Sequence, residues 1–181
     1  MISDFEKDKY RIFGDKGEGW HRFTRSNSLK QLYVFRKLQS SKGLIRLYYR
    51  IRYKILESKT RIILPSSVKA GGGLCFWHGG PAVINDNAVF GKNVNIMQYV
   101  TIGGENRGER RGAPMIGDSV WFGPGCVVVG RITIGNDVLI APNAYVNFDV
   151  PSHSIVLGNP GRIIPRQNAT EGYIGNKVDE L

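Results

Sequence analysis

The chain has 181 residues, enough for one compact domain with a real core and too few for two large ones. Its net charge of +10 suggests nucleic acid, but 16 Lys/Arg against 6 Asp/Glu fall in residues 1–62, while residues 63–181 carry nine of each. A neutral larger part has no general affinity for phosphate, which excludes a nucleic-acid-binding domain as the expectation.

Cys75 and Cys126 have neither metal nor redox spacing and read as free core thiols in a reducing compartment. The first ten residues are too polar for a signal peptide, and no apolar run approaches ~18 residues. A cytoplasmic protein without a membrane span is the expectation.

Residues 1–62 form a basic N-terminal region. Residues 1–28 are polar, broken by Gly14, Gly17 and Gly19, and read as loosely ordered. Helices are predicted over 29–39 and 43–57, with a break at 40–43. In the second, Leu44, Leu47, Tyr48, Ile51 and Ile55 follow three-four spacing, while Arg46, Arg50 and Lys54 line another face. Ten Lys/Arg lie between Lys30 and Arg61, opposed only by Glu57. Two uses stay open: the apolar face packs on the neighbouring domain, or residues 29–57 touch an anionic membrane, peripherally at its inner face.

From residue 66 the pattern changes to a period of six. Large apolar residues lead each hexad at Ile84, Phe90, Ile96 and Ile102, then at Ile116, Phe122, Val128, Ile134, Ile140 and Val146. The fifth place is apolar (Ala88, Val94, Val100, Val120, Cys126, Ile132, Val138, Ala144, Val150) and fails only at Asn106. This period fits neither a helix nor a hairpin meander. It predicts a parallel β-solenoid, three hexads to a triangular coil, over residues 63–165.

The eight residues 108–115 interrupt the repeat and predict a loop protruding from a coil corner, where function tends to be added. A Pro/Gly-marked closing segment follows Val150, and residues 166–181 read as a mobile polar tail. Extended backwards, the register puts His78, in CFWHGG (75–80), in a slot that later coils fill with aliphatic residues.

The hexads, the QYVTIGG of residues 98–104 and the closing GNPGR of 158–162 resemble the hexapeptide-repeat acyltransferases, the left-handed parallel β-helix family that includes the serine acetyltransferases. The resemblance implies acetyl-CoA as donor, a homotrimer, and active sites in clefts between subunits. It places the family's base on His78 and points to Gly123 and Ala141 as narrow backbone contacts for coenzyme A. Three departures stand out. Trp77 replaces the Asp before the base, Ile63 replaces an upstream Asp, and Ala113 replaces a second His in the protruding loop. The setting of His78 also looks like that of bacterial capsule and exopolysaccharide O-acetyltransferases.

The chemistry gives these residues roles. A hydroxyl needs a base that is substantially neutral near pH 7, and histidine suits this. Gly103 and Gly104 can offer backbone N–H groups to a thioester oxyanion. Asn85, Asp86 or a backbone carbonyl would orient His78. Arg162 is placed to meet a phosphate, Arg111 and its loop neighbours to attract an anion, and Trp77 to stack on a sugar ring; packing suits Trp121 better. His153 and His21 are weak candidates, and three scattered histidines make no metal site. The expectation is an acetyl-CoA-dependent O-acetyltransferase acting on a sugar hydroxyl of a surface polysaccharide or its precursor, without metal. Serine O-acetylation and a non-catalytic solenoid scaffold are the alternatives.

Overall fold

A computed structural model describes residues 2–14 and 26–180; His21 and the loosely ordered stretch expected around it lie outside them. Three faces of short parallel strands wind into a solenoid of about five coils. The first face holds β1 (Ile62–Ile63), β4 (Ala82–Ile84), β7 (Thr101–Gly103), β10 (Val127–Val129) and β13 (Tyr145–Val146). The second holds β2 (Lys69–Ala70), β5 (Val89–Phe90), β8 (Met115–Ile116) and β11 (Thr133–Ile134). The third holds β3 (Cys75–Phe76), β6 (Asn95–Ile96), β9 (Val120–Phe122), β12 (Val138–Ile140) and β14 (Ser154–Leu157), closed by antiparallel β15 (Arg162–Pro165).

Each hexad leader and each apolar fifth residue is buried, so the repeat is a record of what faces the axis. Regular coils are offset by 18 residues, as in Val83↔Thr101 and Val127↔Tyr145. The offset grows to 26 for Thr101↔Val127, which accommodates the eight-residue loop. Residues Glu105 and Gly112 bridge across its base, and Arg131 holds it with N–H bonds to the carbonyls of Arg110 (2.8 Å) and Glu109 (3.1 Å).

The first coil corrects the register. Ile63 pairs with Val83 and Phe76 with Ile96, offsets of 20. The interior positions of this coil are therefore Leu64, Ala70 and Phe76, and two extra residues enter between Phe76 and Ile84. His78 sits in that extension. It does not occupy an aliphatic slot; Phe76, 4% exposed, fills it instead.

Helices cap the open end. α1 spans Asp4–Phe13, α2 Asn27–Ser40 and α3 Gly43–Thr60. A bare first coil would leave both apolar interior and edge carbonyls unsatisfied. α2 answers both needs. Leu29, Leu32, Phe35 and Leu38 are buried, together worth on the order of 8 kcal/mol as an upper figure. From the same helix Gln31 donates to the Ile62 carbonyl (2.8 Å), Arg36 to those of Ala70 and Gly71 (both 2.7 Å), and Gln39 to that of Val68 (2.8 Å).

α1 is ordered where a loose segment was expected. Its Asp8 carboxylate accepts from the backbone N–H of Gly73 (2.8 Å) and Leu74 (2.9 Å) and from two nitrogens of Arg36 (2.9 and 3.1 Å). The tail after residue 165, expected to be mobile, is likewise anchored rather than free. Ala169, Thr170, Ile174 and Val178 are buried, and Val178 N–H donates to Asn93 back near the first coils (2.9 Å).

α3 packs on α2 through Tyr53 and Leu56, and the Tyr53 hydroxyl donates to the Leu64 carbonyl. The stripe that three-four spacing picks out does not pack on this chain. Leu44, Leu47, Tyr48, Ile51 and Ile55 are each more than half exposed.

Candidate active site

The residues singled out in the sequence fall on two corners of the solenoid. The corner between the third and first faces carries Trp77 and His78 on the first coil, Gly123 on the third and Ala141 on the fourth, with Arg162 beside Leu157 beyond them. The corner between the first and second faces carries Asn85 and Asp86, then Gly103, Gly104 and the loop with Arg111. The first face, about 10 Å wide at three residues per strand, separates the two groups.

His78 is held out by the turn that follows it, where Gly79 (φ 60°) and Gly80 (φ 101°) take left-handed conformations that side chains resist. Its ring is exposed and forms no hydrogen bond with any described residue. Within one chain Asn85 and Asp86 are not placed to orient it. They lie across the first face, where the Asn85 side chain accepts from Asn87 N–H (3.0 Å) and Asp86 from the Asn87 amide (2.9 Å).

An open groove of about 530 Å³ begins at the imidazole. It is lined by Trp77 and the Gly79–Gly80 turn, by Ser26 and Ser28 at the start of α2, and by Lys59 and Arg61 at the end of α3. Arg61 reaches it from a left-handed C-cap (φ 58°) that turns the chain from α3 into β1. These two cations went unnoticed in the sequence because they lie at a helix end seventeen or more residues before His78. The signal available was the apolar spacing of eight, Phe76 to Ile84, which marks an outward bulge at 77–81.

Along the same corner the backbones of successive coils stack closely. A Cβ on Gly123 would lie 2.6 Å from Pro142 N and 2.8 Å from the Ile140 carbonyl, so glycine is required there by the fold itself. Gly123 N–H already donates to that carbonyl (2.8 Å), and Ala141 N–H to Val156 (2.9 Å). Ala141 is buried in a cluster with Trp121, Ala169 and Ile174. Both positions are buried, and Arg162 is exposed at the far end of the edge.

Gly103 and Gly104 lie at the other corner, within one coil of Asn85; a Cβ on Gly104 would approach its amide to 3.0 Å. Arg111 is exposed on the loop. One chain therefore does not bring Gly103 and Gly104 to His78.

The remaining nucleophiles and bases are accounted for structurally. Burial pushes both Cys75 and Cys126 up to about 12, leaving inert thiols. His153 Nδ1 lies 2.9 Å from Asp137 Oδ2 at a third corner, away from the groove. Trp121 packs against Tyr173 with the rings tilted by 57° and centroids 4.8 Å apart.

Residues 113–147 match the bacterial transferase hexapeptide model, six repeats. Over those 35 residues the chain carries the repeat of that family. Over 113 residues it is 37% identical to serine acetyltransferase 2 of Arabidopsis thaliana, a match covering 62% of this chain and 35% of the relative. It is also 37% identical to the serine acetyltransferase of Staphylococcus aureus, over 62% of this chain and 53% of the relative. The match thus covers from about a third to about half of these relatives. A soybean serine acetyltransferase structure superposes with a TM-score of 0.75 at 24% identity, covering 89% of this chain and 67% of that one.

These relatives overturn the expectation of a sugar hydroxyl on a surface polysaccharide. That expectation leaned on Trp77 as a stacking ring where the resemblance implies a carboxylate. The structure gives Trp77 another place: it is 44% exposed on the wall of the groove, beside Lys59 and Arg61. Cations there suit an acceptor that carries a carboxylate better than a neutral ring.

Proposed function

We propose that the chain catalyses transfer of acetyl from acetyl-CoA to the hydroxyl of serine, with His78 as general base. The observation that carries this reading is the 37% identity to serine acetyltransferases over 113 residues, together with an unpartnered imidazole at the mouth of a groove. His78 takes the proton of the hydroxyl as its oxygen attacks the thioester carbonyl. The tetrahedral intermediate then expels the coenzyme's sulfur, which leaves as the thiol with the proton returned from the imidazolium. No covalent enzyme intermediate is required, and such a base typically supplies a factor of roughly 10²–10⁴.

Lys59 and Arg61 answer the question raised by Ile63, Trp77 and Ala113. The polar groups expected there are gone, and the serine carboxylate pairs with the two cations at the end of α3 instead. Coenzyme A lies along the same corner, outside the residues that cover Ala141, with Arg162 toward its phosphates.

A homotrimer completes the site. The two corner groups are separated by the first face, so Gly103, Gly104 and Arg111 of one copy serve His78 of the next. The exposed outward pair Ile63 (46%) and Val83 (44%) on that face supports burial between copies. The test is incubation with acetyl-CoA and L-serine, followed by free-thiol release. Serine-dependent release that falls at least tenfold in Arg61→Gln through a raised KM is expected. No serine-dependent release from folded protein overturns the reading.

A further inference from the structure

We propose that α3 is an interfacial helix that lays its bare apolar stripe on an anionic lipid surface. At ~100° per residue, Leu44, Leu47, Tyr48, Ile51 and Ile55 cluster within about 100° of arc. Tyr49, Tyr53, Leu56 and Thr60 lie on the opposite side. That second set is the one that faces the rest of the molecule, with Tyr53, Leu56 and Thr60 buried. The stripe therefore points away from the chain, and each of its five large apolar side chains is 51–85% exposed. Soluble surfaces rarely leave such a continuous apolar row uncovered.

Charge identifies the occupant. Arg50 and Lys54 lie on one side of the stripe and Arg52 and Lys59 on the other, all exposed. The helix carries a single acid, Glu57, already held by Lys54 at 2.8 Å. An apolar stripe between two basic flanks matches the layered chemistry of a bilayer surface, acyl chains below and anionic headgroups on either side. A second copy of the same stripe would instead bring two sets of basic flanks together, which self-repulsion opposes. Arg52 already packs over the Tyr48 ring, 5.7 Å from its centroid, and so extends from the apolar row toward headgroup level. Among the described residues no helix is long and apolar enough to cross a membrane.

The test is co-sedimentation of the whole protein with vesicles of neutral phosphatidylcholine, with and without about 30 mol % phosphatidylglycerol. Partitioning onto the anionic vesicles is expected to be at least about tenfold stronger and to weaken at about 0.5 M salt. Ile51→Glu and the pair Arg50→Glu/Arg52→Glu should each reduce it by about tenfold or more. These positions are exposed, so both variants keep the wild-type melting temperature and rate of thiol release, which separates this proposal from the one about chemistry. Absence of binding, equal binding to neutral vesicles, or binding unchanged in the variants overturns it. So does a vesicle-free particle mass that drops in Ile51→Glu, because a second copy would then be what covers the stripe.

Discussion

Replacing Asp137 with alanine should release the C-terminal tail from the solenoid while leaving the coils intact. The Asp137 carboxylate accepts from Ala169 N–H (3.0 Å), Thr170 N–H (3.0 Å) and the Thr170 hydroxyl (2.7 Å), and it pairs with His153. Burial works against its charge, but the bonds from Thr170, His153 and Ala169 outweigh that and hold the carboxyl below its ordinary range. Hydrogen bonds to an ionised group contribute about 1.5–3 kcal/mol each, and an abandoned buried donor costs about 1–3 kcal/mol. Thr170 is fully buried, so two of its donors would be stranded.

These contributions overlap, and local detachment caps the loss, which gives about 3 kcal/mol for the segment. Tyr173 then leaves Trp121, and the tryptophan emission shifts to the red. Limited proteolysis should cut between residues 166 and 180 in Asp137→Ala at protease levels that spare the wild type. The same release should appear on acidification. A lowered pKa means that the stabilisation is fully present above the unfolded value of 3.8 and is lost as pH falls through the folded one. Unchanged emission and an unchanged cleavage pattern in Asp137→Ala would refute the latch.

His78→Gln should cost about 10²–10⁴ in serine-dependent thiol release without moving the melting temperature, since the ring is exposed and has no hydrogen-bond partner among the described residues. Gly123→Ala drives a Cβ into backbone at 2.6–2.9 Å and should lower the denaturation midpoint by the equivalent of about 1–3 kcal/mol. At Gly79 the Cβ would meet nothing within 4 Å, so Gly79→Ala should cost only the left-handed penalty of about 1–2 kcal/mol. Burial pushes the Asp8 carboxyl up to about 6, against the bonds from Arg36, Leu74 and Gly73. The folded chain therefore holds that proton more tightly than the unfolded one. This group's contribution is present at acid pH and is lost as pH rises from about 4 through about 6, at up to about 1.4 kcal/mol per pH unit. Urea titrations of Asp8→Asn, where that slope should vanish, check the sign.

The solenoid was legible because its physics repeats. Every coil needs an apolar residue on the axis, and Ile84 to Val146 supply it at fixed intervals. What the repeat hides is a change of phase. Counting back in sixes from Ile84 lands on His78, and nothing at that residue warns that two positions have been added. Leu64, Ala70 and Phe76, counted forward, give the other phase, and their stacking against Ile84, Phe90 and Ile96 decides between the two. The imidazole is outside the core for that reason, and its exposure is what makes it usable as a base.

The site's other half was beyond reach for a different reason. Lys59 and Arg61 line one groove with His78 only because α2 must cover the first coil and α3 must return along it, a requirement of the unsatisfied coil end and not of any local pattern. α3 shows the same limit. Its periodicity marks Leu44, Leu47, Tyr48, Ile51 and Ile55, yet the fold buries Tyr53 and Leu56. Polar contacts settle which side faces in: the Tyr53 hydroxyl finds the Leu64 carbonyl, and Thr60 finds Gln31 and the Leu56 carbonyl. A helix with two apolar faces has one to spend outside its own chain, and the basic residues on both sides of the bare one set the chemistry it can meet.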